Sequence, residues 1–210
     1  MPFRLRDVQQ RKSATVQKRN EQNREAVSLL ADLQNDLTVL KSFDGRPHKL
    51  AYKRERFPHY MPWVNGLIEG DCGGRDKVLQ YMFVWAIDIG EIDLFLKIAA
   101  YMEKHQIDPP FETKLPTFIS DNARENLNHL TLDEAILLAD FIADKDVQEN
   151  SYAQFLRGLG EKILESEALD ERGAHLVMKY WRKALMLDPN VGIKKRLEKL
   201  EKEWEVKDKK

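Results

Sequence analysis

Apolar residues recur every three or four positions along most of this chain, and prolines and glycines interrupt the recurrence at intervals. That period is typical of helices, and no stretch alternates apolar and polar residues as a strand does. With 210 residues, the chain is long enough for one domain or two small ones with a buried core. We therefore predict an all-α protein, with a long N-terminal helix or coiled-coil segment followed by a compact multi-helix bundle.

Composition narrows the class of protein. A hydrophobic content of 42% with 33% charged residues suits helices with long solvated faces. The single cysteine, Cys72, excludes an internal disulfide and a cysteine-rich zinc site, and it favours a reducing compartment. No apolar run reaches the roughly 18 residues of a membrane span, and no apolar signal region opens the chain. We expect a soluble intracellular protein with no membrane partner.

The net charge of −1 conceals a strong segregation of charge. Residues 1–60 carry 13 Lys and Arg against 7 Asp and Glu, whereas residues 61–150 carry 7 against 17. Residues 151–210 carry 14 against 11. The basic ends can approach a polyanion, and the acidic middle is repelled by one.

Composition and helix breakers predict five segments. They are a basic arm with a heptad helix at 1–45, a basic proline-containing connector at 46–73, an acidic helical domain at 74–150, helical hairpins at 151–205 and a frayed tail at 206–210.

Basic residues in the first two segments are the candidate DNA contacts. Seven lie within the first 24 residues, where apolar residues are sparse, and five more are interleaved with aromatic residues in the connector, a mixture that suits nucleic acid. A solubilising arm and a solvated linker are the alternatives. The candidates are Arg4, Arg6, Arg11, Lys12, Lys18, Arg19, Arg24, Arg46, Lys49, Lys53, Arg54 and Arg56.

A short heptad pattern follows the arm. Its spacing of 4, 3, 4 and 3 residues predicts an apolar seam on one helix, which either packs within its own domain or joins copies of the chain. Asp36 is expected on the outside of this helix. The seam consists of Ala26, Leu30, Leu33, Leu37 and Leu40.

Three carboxylates, Asp88, Glu91 and Asp93, lie close together in an apolar stretch. Converging carboxylates can hold the two ions of a metal-dependent nuclease. The spacing matches no metal-ligand motif, however, and Gly90 between them predicts the end of one helix and the start of another, where acids are favoured. We favour the helical turn and keep a metal site as the weaker alternative.

Other catalytic signatures are missing from the sequence. There is no nucleophile elbow, no paired histidines for zinc and no P-loop. The Gly-rich run 71–77 before a helix can cradle a phosphate, but a plain loop is the simpler interpretation. We expect a non-catalytic protein without a cofactor; Mg²⁺ enters only if the chain is an endonuclease.

The C-terminal third resembles one tetratricopeptide unit, a pair of antiparallel helices with small residues at their crossing. The resemblance rests on Leu159, Gly160, Ala174, Tyr180, Ala184, Leu185, Asp188 and Pro189. A solenoid needs about three units, so one unit predicts a helical hairpin of the core. A peptide-binding adaptor is a further alternative. Asp188 with Pro189 also predicts the start of the last helix.

Two stretches, "WAIDIGEIDLFLKIAAYM" and "YWRKALMLDPNVGIKKRLEKLEKE", with the proline-rich step after the first, resemble the GpM-type small terminase subunits of tailed phages. The resemblance implies recognition of a cohesive-end packaging site on double-stranded phage DNA, assembly into a homo-oligomeric ring, and recruitment or stimulation of a large ATPase and nuclease subunit in the host cytoplasm. Proteins of this type often carry the label of terminase endonuclease subunit. The acidic hairpin at 76–105 is unsuited to the major groove, so the basic segments are expected to contact DNA.

Overall fold

The structure is a computed structural model that describes residues 3–166 and 170–207, with the backbone alone for residues 3–20, 22 and 205–207. Within these residues the chain forms nine α-helices and no strand, which confirms the all-α prediction. The helices are α1 (Phe3–Ser42), α2 (Arg46–Gly70), α3 (Lys77–Ile89), α4 (Ile92–Lys104), α5 (Leu115–Glu125), α6 (Leu132–Ile142), α7 (Glu149–Leu164), α8 (Glu171–Leu187) and α9 (Lys194–Lys207). None of the described helices is both long enough and apolar enough to cross a membrane.

The chain divides into two compact units, Met1–Trp85 and Ala86–Lys210. In the first unit α1 and α2 form an antiparallel hairpin closed by the short loop 43–45. The finer division into five segments stays a prediction, and residues 208–210 of the expected frayed tail lie outside the described residues.

Most of the predicted connector, 46–73, is helical, because α2 covers Arg46–Gly70. Proline near the start of α2 suits a helix, but Pro58 and Pro62 lie inside it. An interior proline removes a backbone donor and costs about 3 kcal/mol. Burial of Phe57, Tyr60 and Val64 offsets this cost, and sequence periodicity alone does not reveal that burial.

The turn at Gly90 has the predicted form. Gly90 takes a φ of 86°, its amide donates to the carbonyl of Ile87, and the amide of Glu91 donates to that of Ala86 at 2.8 Å. These two bonds are the Schellman motif that ends a helix at a glycine. The helix that follows buries Phe95, Ile98 and other apolar residues along one face, as its spacing predicted.

The second unit contains α4 to α9. The predicted capping box opens α6, because the Thr131 hydroxyl accepts from the Glu134 amide and the Glu134 carboxylate accepts from the Thr131 amide. The predicted helix start at Asp188 and Pro189 was wrong. The Asp188 carboxylate accepts from the Asn190 amide in a turn, Gly192 follows with a φ of 87°, and α9 begins only at Lys194.

The α7 and α8 helices of the second unit cross closely at Gly160. A Cβ added to Gly160 would lie 2.1 Å from Nε1 of Trp181, so only glycine lets the indole approach the α7 backbone. The same indole nitrogen donates to the carbonyl of Arg157 at 3.2 Å. The crossing is the small-residue contact that the sequence predicted, while its kinship with tetratricopeptide repeats stays a prediction.

Candidate nucleic-acid interface

The basic arm belongs to the first half of α1. Its backbone continues without a break into the heptad segment, so arm and seam form one 40-residue helix. Of the predicted DNA contacts in this helix, only Arg24 has a described side chain, and it is exposed. The side chains of Arg4, Arg6, Arg11, Lys12, Lys18 and Arg19 lie outside the described residues.

The five cations of α2 have different environments. Arg46 and Arg54 are exposed, whereas Lys49, Lys53 and Arg56 are half-buried. The Lys53 ammonium lies 5.9 Å from the centre of the Trp85 ring, within the range of a cation–π contact. Arg46 and Arg54 are therefore the cations of α2 that are most accessible to a phosphate backbone.

Arg56 has a structural partner, Asp36 of α1. Its Nε lies 2.9 and 3.1 Å from the two carboxylate oxygens of Asp36. The hydroxyls of Tyr52 and Tyr60 donate to the same carboxylate at 2.8 and 2.6 Å. Asp36 is only 4% exposed, so the prediction that it lies outside was wrong. We call these four residues the Asp36 network.

The Asp36 network explains why a carboxylate can be buried between two helices. A buried charge needs an opposite charge and hydrogen bonds to its remaining lone pairs, and here one guanidinium and two hydroxyls supply them. The hydrogen bond to Asp36 raises the pKa of Arg56, which stays charged. Burial, followed by the hydrogen bond to Asp36, raises the pKa of Tyr60 and of Tyr52. Both phenols therefore remain neutral donors across the physiological range.

A second pair lies one turn away on the same hairpin. His59 Nε2 is 3.0 Å from Oδ2 of Asp32, and both side chains are about 40% exposed, at 42% and 38%. Together with the Asp36 network, this contact fixes the register of α2 against α1. Sequence reasoning missed both pairs, although Asp32 and Asp36 share a helical spacing of four residues.

The predicted seam is buried only in part. Leu33 and Leu40 are buried within the single chain, and Leu29 and Asp36 complete that buried row. Ala26, Leu30 and Leu37 form a half-buried shoulder beside the row. Near the shoulder, Val27 is 70% exposed. The role of the seam in self-association stays a prediction.

The central acids do not converge on one point. Asp88 lies in the last turn of α3, Glu91 precedes α4, and Asp93 lies in the first turn of α4, where the helix dipole favours it. In the part of the chain that the structure describes, no group of three or more His, Cys, Asp or Glu side chains is placed to hold a metal ion.

The Gly-rich run 71–77 leads into α3, and its last acid fills the helix start. The Asp76 carboxylate accepts from the Leu79 amide at 2.8 Å and from the indole nitrogen of Trp63 at 3.0 Å. A side-chain anion thus occupies the position that a phosphate would take at a helix N-terminus. The run is a capped loop, in agreement with the simpler interpretation.

Comparison with known proteins gives two kinds of match. The model of a family described as phage small terminase subunit matches residues 30–151. The chain is 30% identical over 191 residues to the "Terminase, endonuclease subunit" of Escherichia phage P2, over 85% of this chain and 74% of that protein. It is 36% identical over 92 residues to the "Probable terminase, endonuclease subunit" of Haemophilus phage HP1, over 42% of this chain and 33% of that protein. No solved structure matches the chain.

Proposed function

Because the chain belongs to the phage small terminase subunit family, with a role in DNA packaging, we propose that its α1–α2 hairpin binds the cohesive-end packaging site of the phage genome. The single observation that carries this proposal is the placement of charge. Residues 1–60 hold 13 of the 34 basic residues against 7 acids, and this range lies almost entirely on α1 and α2.

The hairpin supports the proposal in a specific way. The Asp36 network uses Arg56 to hold the helices together, so the exposed cations among the predicted contacts, Arg24, Arg46 and Arg54, extend from a fixed helix pair. Contacts of this kind neutralise phosphates, position the protein on the duplex and weaken steeply as salt rises. Sequence selectivity then comes from several arms acting together in one assembly.

The test compares the full chain with a variant that begins at Gln22, which lacks six basic residues of the arm. Gel shifts against a cohesive-end fragment at several salt concentrations should show weaker binding of the truncated protein and a shallower salt slope, by about 0.9 per lost phosphate contact.

A matched control removes charge elsewhere. Lys194→Ala, Lys195→Ala and Lys202→Ala neutralise exposed residues of α9 and should leave the affinity and the salt slope nearly unchanged. Equal slopes for the full chain and the truncated protein would exclude the arm as the DNA-binding element.

We also propose that the protein assembles into a ring through α1 and that the ring recruits the large terminase subunit. The shoulder of Ala26, Leu30 and Leu37, together with exposed Val27, is the surface on α1 that supports contact between copies. A heterologous contact repeated about one axis closes a ring. Light scattering on Val27→Asp combined with Leu30→Asp should show smaller particles, and an unchanged mass would place the contact elsewhere.

A second candidate function is a metal-dependent endonuclease. The observation that favours it is that the relatives from phages P2 and HP1 are named terminase endonuclease subunits. Purified protein incubated with cohesive-end DNA and Mg²⁺ or Mn²⁺, without the large subunit, decides between the two. Specific nicking that Asp88→Asn abolishes would establish the endonuclease and assign the metal to the central acids.

A further inference from the structure

The α6 helix presents a row of acids to solvent. Asp133 and Asp140 are exposed and lie seven residues apart on one face of α6, and the exposed Asp144 follows in the turn after the helix. Leu137 lies between the first two and is 49% exposed.

The α8 helix carries a row of bases with the same spacing. Arg172, Lys179 and Lys183 also lie seven and then four residues apart, and Leu176 occupies the position that Leu137 has in the acidic row. Arg172 and Lys179 are exposed, and Leu176 and Lys183 are half-buried. The two rows are complementary in charge at every position.

One contact fixes the level of the two rows. Both helices pack beside α7, which lies between them in sequence, and we infer from this that α6 and α8 run in the same direction. Lys179 Nζ lies 3.8 Å from Oδ1 of Asp140. Equal helical spacing then places Arg172 level with Asp133, whereas Asp144 lies in the turn beyond the end of α6.

The outer charges of both rows are not used within the chain. Among the described residues, Asp133, Asp144, Arg172 and Lys183 make no ion pair, and the central pair is exposed, at 65% for Lys179 and 55% for Asp140. Both rows therefore remain largely available to a partner surface that places basic residues opposite the acidic row and acidic residues opposite the basic row.

We propose that this partner is a second copy of the chain, related by a two-fold axis that runs parallel to α6 and α8 and midway between them. Such a rotation keeps each residue at its level along the helices and exchanges the rows, so the acidic row of one copy faces the basic row of the other. Each level then forms an ion pair twice, once on each side of the axis, and Leu137 meets Leu176 between them. An interface of this kind is isologous and self-complementary.

The area of the paired face limits the affinity of the two-fold contact. The α6 helix is about 16 Å long and α8 about 25 Å, so the paired face covers roughly 400 to 500 Å² per copy. A stable complex buries about 800 Å² per partner. The two-fold contact is therefore weak and salt-sensitive alone, and it doubles an assembly that α1 or another surface holds together. It uses no residue of the α1–α2 hairpin and does not depend on DNA binding.

Two charge-reversed variants test the proposal. The first is Arg172→Glu, Lys179→Glu and Lys183→Glu, which makes both rows acidic. The second is Asp133→Lys, Asp140→Lys and Asp144→Lys, which makes both rows basic. Sedimentation velocity at low salt should give each variant half the mass of the wild type, because like charges facing each other weaken the contact by roughly a hundredfold or more. An equimolar mixture should regain the full mass, since each copy then faces its opposite.

A cross-link provides a second measurement should a reversed variant unfold. In a Cys72→Ser background, Asp133→Cys with Arg172→Cys should give a disulfide-linked dimer on a non-reducing gel. The control, Asp140→Cys with Arg172→Cys, separates the thiols by seven residues, about 10 Å along the helices, and should give none. Unchanged mass in both reversed variants, failure of the mixture to regain mass, or equal cross-linking in both cysteine pairs would overturn the proposal. Reversed variants that keep their mass but no longer bind the large terminase subunit would also overturn the proposal.

Discussion

Replacing Asp36 by Asn tests whether the Asp36 network holds α1 against α2. The amide keeps the shape of the carboxylate but replaces one acceptor oxygen by a donor NH₂ group. Three side chains now donate to Asp36, so at least one of them loses its acceptor. The change therefore replaces a fully hydrogen-bonded buried carboxylate by an amide whose NH₂ group faces a side chain that also donates.

The magnitude follows from the burial of the partners. The Tyr60 side chain is 0% exposed, and a buried hydroxyl without a partner costs about 1 to 3 kcal/mol. Arg56 keeps 32% of its side chain in solvent, so the loss of its charged partner is discounted to about 1 kcal/mol or less. We expect Asp36→Asn to lower the free energy of unfolding by about 2 kcal/mol, which lowers the Tm of a unit of this size by roughly 8 to 16 °C.

Thermal and urea unfolding followed by circular dichroism measure this change on the intact chain. Asp32→Asn is the matched control, because the same substitution one turn away removes an exposed partner of His59 and should cost about 0.5 kcal/mol or less. Tyr60→Phe removes the stranded hydroxyl, so the double variant Asp36→Asn with Tyr60→Phe should cost less than the sum of the two single changes. Equal effects of the two aspartate variants, or strict additivity in the double variant, would refute the reasoning.

Further expectations concern single substitutions in both units. Gly160→Ala should destabilise by about 2 kcal/mol or more through overlap with Trp181, whereas Gly66→Ala in α2, whose added Cβ has nothing within 4 Å, should stabilise by about 0.5 to 1 kcal/mol; urea midpoints compare the two. Tyr180→Phe should be neutral or stabilising, because in the described structure the Tyr180 hydroxyl is buried without a hydrogen-bond partner, whereas Tyr152→Phe should cost about 1 kcal/mol by removing the bond to the Ala139 carbonyl. Burial raises the pKa of Tyr152 and of Tyr180 to about 12, so the folded state binds their protons more tightly and stability should fall as pH rises from about 10 toward 12; a stability curve that stays flat over that range would contradict this.

Local signals in the sequence predicted the helix boundaries where backbone chemistry decides them. Gly90 adopts positive φ at the end of α3, and the hydroxyl of Thr131 with the carboxylate of Glu134 caps α6. In each case the residues that determine the helix boundary lie within a few positions of one another, so the local sequence is sufficient to predict it.

Tertiary contacts decided the places where sequence reasoning failed. Pro58 and Pro62 indicated a connector, but burial of one side of α2 keeps the helix intact. Asp36 looked like a solvent residue because its partners, Tyr52, Arg56 and Tyr60, are 16 to 24 residues away in sequence. A carboxylate at a position of the buried heptad row, followed by tyrosines and an arginine at helical spacing, is the signal that can identify such a network.

The difference in length between α1 and α2 has a mechanical consequence. With 40 residues against 25, α1 extends beyond the hairpin, and its first turn lies about 48 Å from Asp36 along the helix. If α1 tilts as a rigid helix about the Asp36 network, its N-terminal end moves by a distance proportional to that length. A tilt of about 4° there displaces the tip by about 3 Å, close to the axial step between successive phosphates of one DNA strand. In the proposed DNA complex, the direction of the basic arm would thus depend on how stiffly one buried carboxylate holds α1 against α2.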